Sequence, residues 1–260
     1  MPYSPDSVVV SEVSTMPKLQ VALKVIQHKS KLGENLKGYI DSEIDIMTVV
    51  TREIAPKCPN LLPLLDVVDH GNSAGCTTLV MPLLKEDLMD TCIRKVFTEK
   101  EARPIVFQLL NALSYLHAWG IWHLDVKLEN IAFYSDLEPS QVMLFDYGLS
   151  VRNKGDAWFY PAGPRGTLYY LSPEILQHHC YSSAADIWAV GCVVYILITQ
   201  QYPFAKPANS KDGSFERKNL KNCSKEVLDL LESIFVVDAA HRPTAEDLMS
   251  HAWFTEETTQ

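Results

Sequence analysis

Long apolar runs are missing from this 260-residue chain. The most extended, Ile187 to Ile198, falls short of the roughly 20 residues that carry a helix across a bilayer, and it reads as a buried helix. Basic charge is short as well. The 23 lysines and arginines stand against 32 acids for a net charge of -9, which excludes the basic stripe that a nucleic-acid binder needs to displace counterions. A cationic peptide suits such a surface better. Paired cysteines are absent: Cys58, Cys76, Cys92, Cys180, Cys192 and Cys223 lie far apart with no CxxC spacing, so neither a zinc ribbon nor a disulfide frame is indicated. Several fall in apolar runs where a reduced thiol packs as a small hydrophobe. His178, His179 and Cys180 are adjacent, but no second cluster completes a metal site and the trio reads as a solvated helix end. The first residues show no basic-then-apolar leader pattern. The expectation is a soluble monomer of the cytoplasm, with the nucleus open to it, and with no membrane partner.

What is present is enough apolar sequence, 47% of the chain, for one large core or two modest lobes. Residues 8 to 26 are rich in valine and end in the strand-like run Leu19 to Ile26, while residues 60 to 83 hold short apolar runs broken by turn residues such as Asp69-His70-Gly71-Asn72. Between them Ile40, Ile44, Met47 and Val50 recur at helical spacing, which predicts one amphipathic helix lying on a small sheet. After residue 86 helices dominate. Thr98 and Glu101 predict a capping box ahead of Ile105, Leu109, Leu110, Leu113 and Leu116, and Gly120 predicts the stop. Pro104 removes a backbone donor and predicts a bend or a late start. Ser183 with Asp186, and Thr244 with Asp247, predict two further helix caps. A small mixed lobe followed by a larger helical one leaves a cleft between them, where ligand sites tend to form.

The densest chemistry is HLDVKLEN at 123 to 130, followed by Phe145-Asp146-Tyr147-Gly148. Asp125, Lys127, Asn130 and Asp146 supply a base, a cation and two oxygen ligands, the set needed to move a phosphoryl group with a hard metal ion. These segments resemble the catalytic and metal-binding loops of protein kinases, with Leu124 and Tyr147 in place of the signature arginine and phenylalanine. The resemblance extends through VALK at 21 to 24, Glu43 at the head of EIDIMTVV, CPNLLPLLDVV at 58 to 68 and LVMPLL at 79 to 84. It continues through GTLYYLSPE at 166 to 174, DIWAVG at 186 to 191 and HRPTAEDLMSHAWF at 241 to 254, whose ending is similar to the calcium/calmodulin-dependent branch.

The resemblance implies an α+β, bilobal fold, with a β-rich N-lobe over 1–81, a hinge over 82–87 and a helical C-lobe over 88–260. It implies ATP and Mg2+ as ligands and a protein hydroxyl as acceptor. Lys24 would hold the α- and β-phosphates and Glu43 would hold Lys24. Asn130 and Asp146 would ligate magnesium, and Asp125 would accept the substrate proton beside Lys127. Val9, Ala22, Met81 and Leu84 would line the adenine, read by the Pro82 carbonyl and the Leu84 amide, with Ala132 in the floor beside Phe145. Lys127 and Thr167 match the serine/threonine type. Glu86 and Glu129 would meet basic residues before the acceptor, although both also read as ordinary exposed acids. Glu174 would pair with Arg242, and Asp186 would brace the catalytic loop.

The pattern also departs from the family. Pro2 to Val8 contain no glycine where the family covers the phosphates with a glycine-rich loop, and Asp6 would set negative charge near negative charge. Little sequence precedes Val8 to make a first strand. Leu124 removes the cation that greets a phosphorylated loop, and between Gly148 and Gly166 only Ser150 and Tyr160 carry hydroxyls; both absences predict activity that does not depend on loop phosphorylation. Two functions follow. One is a serine/threonine kinase, supported by retention of every charged site residue; the other is a catalytically weak binding module on the same scaffold.

Overall fold

The computed structural model describes residues 8–11 (by backbone), 20–29, 35–71, 75–135, 141–153, 155–156, 158–161 and 165–255. Alternation of short apolar runs and turns produces an antiparallel sheet from β1 (Val8–Ser11), β2 (Val21–Gln27), β3 (Asp66–Asp69) and β4 (Cys76–Pro82), in the order β1-β2-β4-β3. Pro2 to Ser7, with the expected phosphate cover, lie outside the described residues. Helix α1 (Lys37–Val49) accompanies this sheet. Its period buries Ile40 and Met47 together with Val50 beyond its end, and leaves Ile44 half-buried. The helix closes in a widened π turn in which Ala55 donates to the Val50 carbonyl at 2.7 Å.

Leu83 to Asp87 connect β4 to α2 (Leu88–Arg94), after which the chain is mostly helical. Helix α3 (Glu99–Ala118) starts where its sequence signal falls. Thr98 Oγ1 accepts from the Glu101 amide and the Glu101 carboxylate accepts from the Thr98 amide. Pro104 sits inside this helix without delaying its start; the capping box and the burial of Ala102, Ile105 and Val106 hold the first turns despite the lost donor. The helix yields at Gly120, whose φ of +68° is the left-handed conformation glycine adopts freely.

Small two-stranded pairings follow: β5 (Ile121–Trp122) with β8 (Val151–Arg152), and β6 (Ile131–Phe133) with β7 (Val142–Leu144). Beyond them lie α4 (Pro173–His178), α5 (Ser183–Thr199), α6 (Lys225–Ile234), α7 (Ala245–Met249) and α8 (Ala252–Thr255). Helix α5 is the apolar run expected to be buried, and every residue from Ala185 to Ile198 is. Its cap differs from expectation. Ser182, one residue earlier, accepts from the Ala184 amide, because the Asp186 carboxylate is drawn inward to the loop at His123. The Thr244–Asp247 box caps α7 as predicted. His178 ends α4, with His179 at φ +51° just beyond. The six cysteines are all free, and no helix is long and apolar enough to cross a membrane among the described residues.

Two outcomes test this packing. A Cβ at Gly191 in α5 would lie 2.5 Å from Ile234 Cγ2 and 2.8 Å from Phe235 Cε1, so Gly191→Ala overpacks the α5–α6 contact and lowers unfolding free energy by about 1–3 kcal/mol in urea titrations. The Thr98 amide and hydroxyl and Lys95 hold the exposed Glu101 carboxyl down at about 2, against an ordinary 4.5. Its folded-state value is depressed, so its stabilisation is complete above pH 4.5 and lost as pH falls toward 2. Glu101→Gln removes that portion of the acid-unfolding slope and leaves the neutral region flat.

Candidate active site

Lys24 leaves β2 from a partly buried position and its Nζ lies 2.7 Å from Glu43 Oε1 on α1 and 2.7 Å from Asp146 Oδ1. Three charges from distant parts of the sequence thus meet at one nitrogen. Burial alone would push the lysine's pKa down, but the two carboxylates outweigh it, the net shift is upward and the ammonium stays charged. Asp146 moves the opposite way: burial favours its neutral form, yet Lys24 and the Gly148 amide hold the carboxyl below its ordinary value. Glu43 is the more deeply buried acid, and burial lifts its pKa although Lys24 opposes the rise. Asp146 attains this position with φ +66°, a left-handed conformation that Asp tolerates better than branched residues.

The segment 123–130 is held from below by Asp186 of α5. One carboxylate oxygen accepts from the Leu124 amide at 2.7 Å and the other from the His123 amide at 2.9 Å, while His117 Nε2 lies 2.8 Å from the same group. This is the brace that the DIWAVG resemblance implies. It anchors Leu124 at φ +61°, which turns the chain so that Asp125 faces the cleft side of the loop. Asp125 then collects donors: Thr167 Oγ1 at 2.7 Å, Lys127 Nζ at 2.7 Å and Asn130 Nδ2 at 3.0 Å, and Lys127 also reaches Thr167 at 3.0 Å. Because the Asn130 nitrogen is committed to Asp125, its oxygen turns the other way. That oxygen and the Asp146 carboxylate are oxygen donors of the kind a hard divalent ion takes, so the chemistry of these residues fits magnesium.

Between β2 and β4 the strand register decides which residues meet. Ala22 lies across from Met81, and Leu83 donates back to the Gln20 carbonyl while the Leu84 amide has no partner among the described residues. Pro82 has no amide hydrogen and offers only its carbonyl. Ala132 is buried in β6 and bridges to Asp87; the Phe145 amide donates to the Asn130 carbonyl. In β1, Val9 stands across from Leu23, with Val10 across from Ala22 and Val8 across from Lys24.

Of the two acids expected to meet substrate, Glu86 is paired with Arg94 of α2, and Glu129 is half-buried with one carboxylate oxygen enclosed and without a hydrogen bond. Glu174 and Arg242 make a two-pronged bond at 2.9 and 3.1 Å with both side chains buried. Tyr147 packs its ring within 5.6 Å of His123, and its hydroxyl reaches the Leu144 carbonyl at 3.5 Å. Sequence reasoning missed two participants. His123 joins the two loops through Nε2 and the Phe145 carbonyl at 3.1 Å, a role that its place in the motif hints at. Arg165 lines the space between α1 and residues 147–150, and no local signal marks it.

One antiparallel sheet and a set of helices thus bring Lys24, Glu43 and Asp146 together and fix Asp125 among Lys127, Asn130 and Thr167. The family model for the protein kinase domain matches residues 6–254, and the chain belongs to that family. It is 33% identical over 228 residues to a calcium and calcium/calmodulin-dependent serine/threonine-protein kinase of Lilium longiflorum, covering 82% of this chain and 42% of that protein. It is 30% identical over 247 residues to the human calcium/calmodulin-dependent protein kinase type 1B, covering 92% of this chain and 68% of that protein. A solved structure of Rad53 residues 1–466 in complex with AMP-PNP superposes with a TM-score of 0.74 at 26% identity, over 95% of this chain and 62% of that one. The chain therefore spans less than half of the lily relative's length.

The Tyr147 hydroxyl is fully enclosed and its one bond is long. Removing both the hydroxyl and its need for a partner is close to neutral. Tyr147→Phe is expected to keep the thermal midpoint within about 2 °C and the nucleotide-induced rise in that midpoint unchanged. A collapse of either would assign the hydroxyl a role in the site.

Proposed function

We propose that the chain is a serine/threonine kinase that transfers the γ-phosphoryl of MgATP to a protein hydroxyl flanked by basic residues. One observation carries the reading: the Asp125 carboxylate is fixed by Lys127, Asn130 and Thr167, and Asp146 of the following loop joins Glu43 on Lys24. Relatives named serine/threonine kinases support the reaction class, and the AMP-PNP complex of a structural neighbour supports the nucleotide.

Each residue has a task that its position allows. Lys24, kept protonated by two carboxylates, presents a fixed cation to polyphosphate; Glu43 keeps it from swinging away. The Leu84 amide and the Pro82 carbonyl read the adenine edge between Ala22 and Ala132. Asp125 accepts the proton of the incoming hydroxyl, and because three donors orient its carboxylate, little reorganisation is needed at that moment. Lys127, bonded to both Asp125 and Thr167, offers positive charge beside the transferred group. Magnesium, when bound by Asn130 and Asp146, supplies neutralisation of phosphate charge. The deficit of basic residues across the chain favours a cationic peptide. Glu86 contributes to that recognition only if its bond to Arg94 opens.

Incubating the purified chain with MgATP labelled at the γ-phosphate and a serine peptide bearing arginines before the acceptor is expected to label the peptide. Asp125→Asn should lower the rate by about 100-fold or more, and replacing the peptide arginines by alanine should raise KM. Equal labelling by wild type and Asp125→Asn would overturn the kinase reading in favour of a binding module.

A further inference from the structure

The segment from Gly148 to Glu174 leads from Asp146 to the Glu174–Arg242 pair and carries Thr167, and Leu124 offers it no cation. Its described residues are held by apolar and backbone contacts. Leu124, 6% exposed, packs with Trp122, Ile175, Tyr181 and Ala185, and Phe159 lies against that cluster. Phe159 and Tyr181 exchange two backbone hydrogen bonds, at 2.9 and 3.0 Å. The Tyr181 hydroxyl accepts from the Arg165 amide at 2.7 Å and lies 3.2 Å from the Arg165 carbonyl. Arg165 is thereby pinned by its backbone to a buried side chain.

Its guanidinium reaches in two directions. Cζ stands 5.3 Å from the centre of the Phe159 ring and 5.9 Å from that of Tyr39, and no carboxylate pairs with it among the described residues. Tyr39 lies in α1 one turn ahead of Glu43, on the same face, and Arg165 lies two residues ahead of Thr167. A cavity of about 340 Å³, lined by Tyr39, Ser42, Glu43, Gly148 and Arg165, separates this part of α1 from the segment. The head of the segment meets α1 where Gly148 approaches Glu43, and toward Tyr39 the cavity leaves a gap that Arg165 spans. The other cationic link nearby, Arg152 to Asp45, is solvent-exposed and 3.9 Å long, a geometry that contributes little.

We propose that Arg165 is a positioning residue: held between Phe159 and Tyr39 across this cavity, it ties α1 to the segment and so couples the Lys24–Glu43 pair to the Asp125–Thr167 cluster without a phosphate. The effect on turnover rests on the kinase reading, whereas the structural coupling does not. A guanidinium between two rings suits this work. It stays charged at every accessible pH and gains from each aromatic face, and a bridge of this kind persists where a phosphate would need enzymatic renewal.

Amide hydrogen exchange on the full chain separates the two dependencies. Arg165→Met is expected to speed exchange about three- to tenfold in the first half of α1 and over residues 165–171, as two lost cation–π contacts would, with α5 unchanged. Arg165→Lys should restore part of the protection. Tyr39→Leu should act on the same amides, and the double variant with Arg165→Met should add little to either. In the kinase assay Arg165→Met should lower kcat/KM by a similar factor, mainly through kcat. Unchanged exchange in α1 for Arg165→Met, or additive effects in the double variant, would overturn the proposal even if the chain transfers no phosphoryl group. Faster exchange throughout, α5 included, would do the same if Tyr39→Leu also left α1 unaltered. So would a rise of more than about tenfold in turnover on phosphorylating the segment, since cationic bridging would then be insufficient.

Discussion

A lysine ammonium drawn into a partly buried position by two carboxylates is the constraint on which the remaining geometry turns. Burial by itself favours the neutral amine at Lys24, and Glu43 and Asp146 reverse the balance. The three groups come from a strand, a helix and a loop separated by 19 and 122 positions in the chain. Their meeting sets the distance of α1 from β2 and of the Asp146 loop from both. Breaking such a cluster by deleting one partner leaves an uncompensated charge, which is why the arrangement specifies position more strongly than it contributes net stability.

The helical part solves the same problem with deeper burial. Asp186, 1% exposed, spends its carboxylate on two backbone amides and His117, so the loop carrying Asp125 is bonded to the most buried helix of the molecule. Glu174 and Arg242 do likewise at the other end of the segment, with additional bonds from Arg242 to the Ala184 and Val236 carbonyls. These charges do no chemistry. They convert a flexible connection into one with fixed ends, and the catalytic-loop donors to Asp125 inherit that order.

The departures from the family pattern become intelligible in this setting. Leu124 is not a cation lost from an otherwise unchanged site: its side chain belongs to an apolar cluster that seats Tyr181 and Phe159. Tyr147 keeps the enclosed ring position and finds only a marginal acceptor. Glu129 is half-buried with one carboxylate oxygen enclosed, while Glu86 is paired with Arg94.

Much of the fold was legible because local signals agree with tertiary demand: the period of Ile40, Met47 and Val50, the boxes at Thr98 and Thr244, and the unbroken apolarity of α5 all describe burial directly. The spacing of HLDVKLEN and the Asp146 motif likewise brought the charged residues to one site on paper. Local reasoning failed where register or partnership decides. Val8, Val9 and Val10 are equivalent as composition, and only the pairing with β2 decides which stands across from Lys24, Leu23 and Ala22. Ser182 and Ser183 compete as caps, and the outcome depends on where Asp186 is needed. Pro104 is tolerated because surrounding burial exceeds the cost of one missing bond. The sequence by itself determined the family, the lobes and the inventory of charges, since these depend on residue type and order. Tertiary structure alone decided which charge meets which, that Arg94 occupies Glu86 and that Arg165 stands between two rings, because such contacts arise between segments whose separation in sequence carries no information about their distance in space.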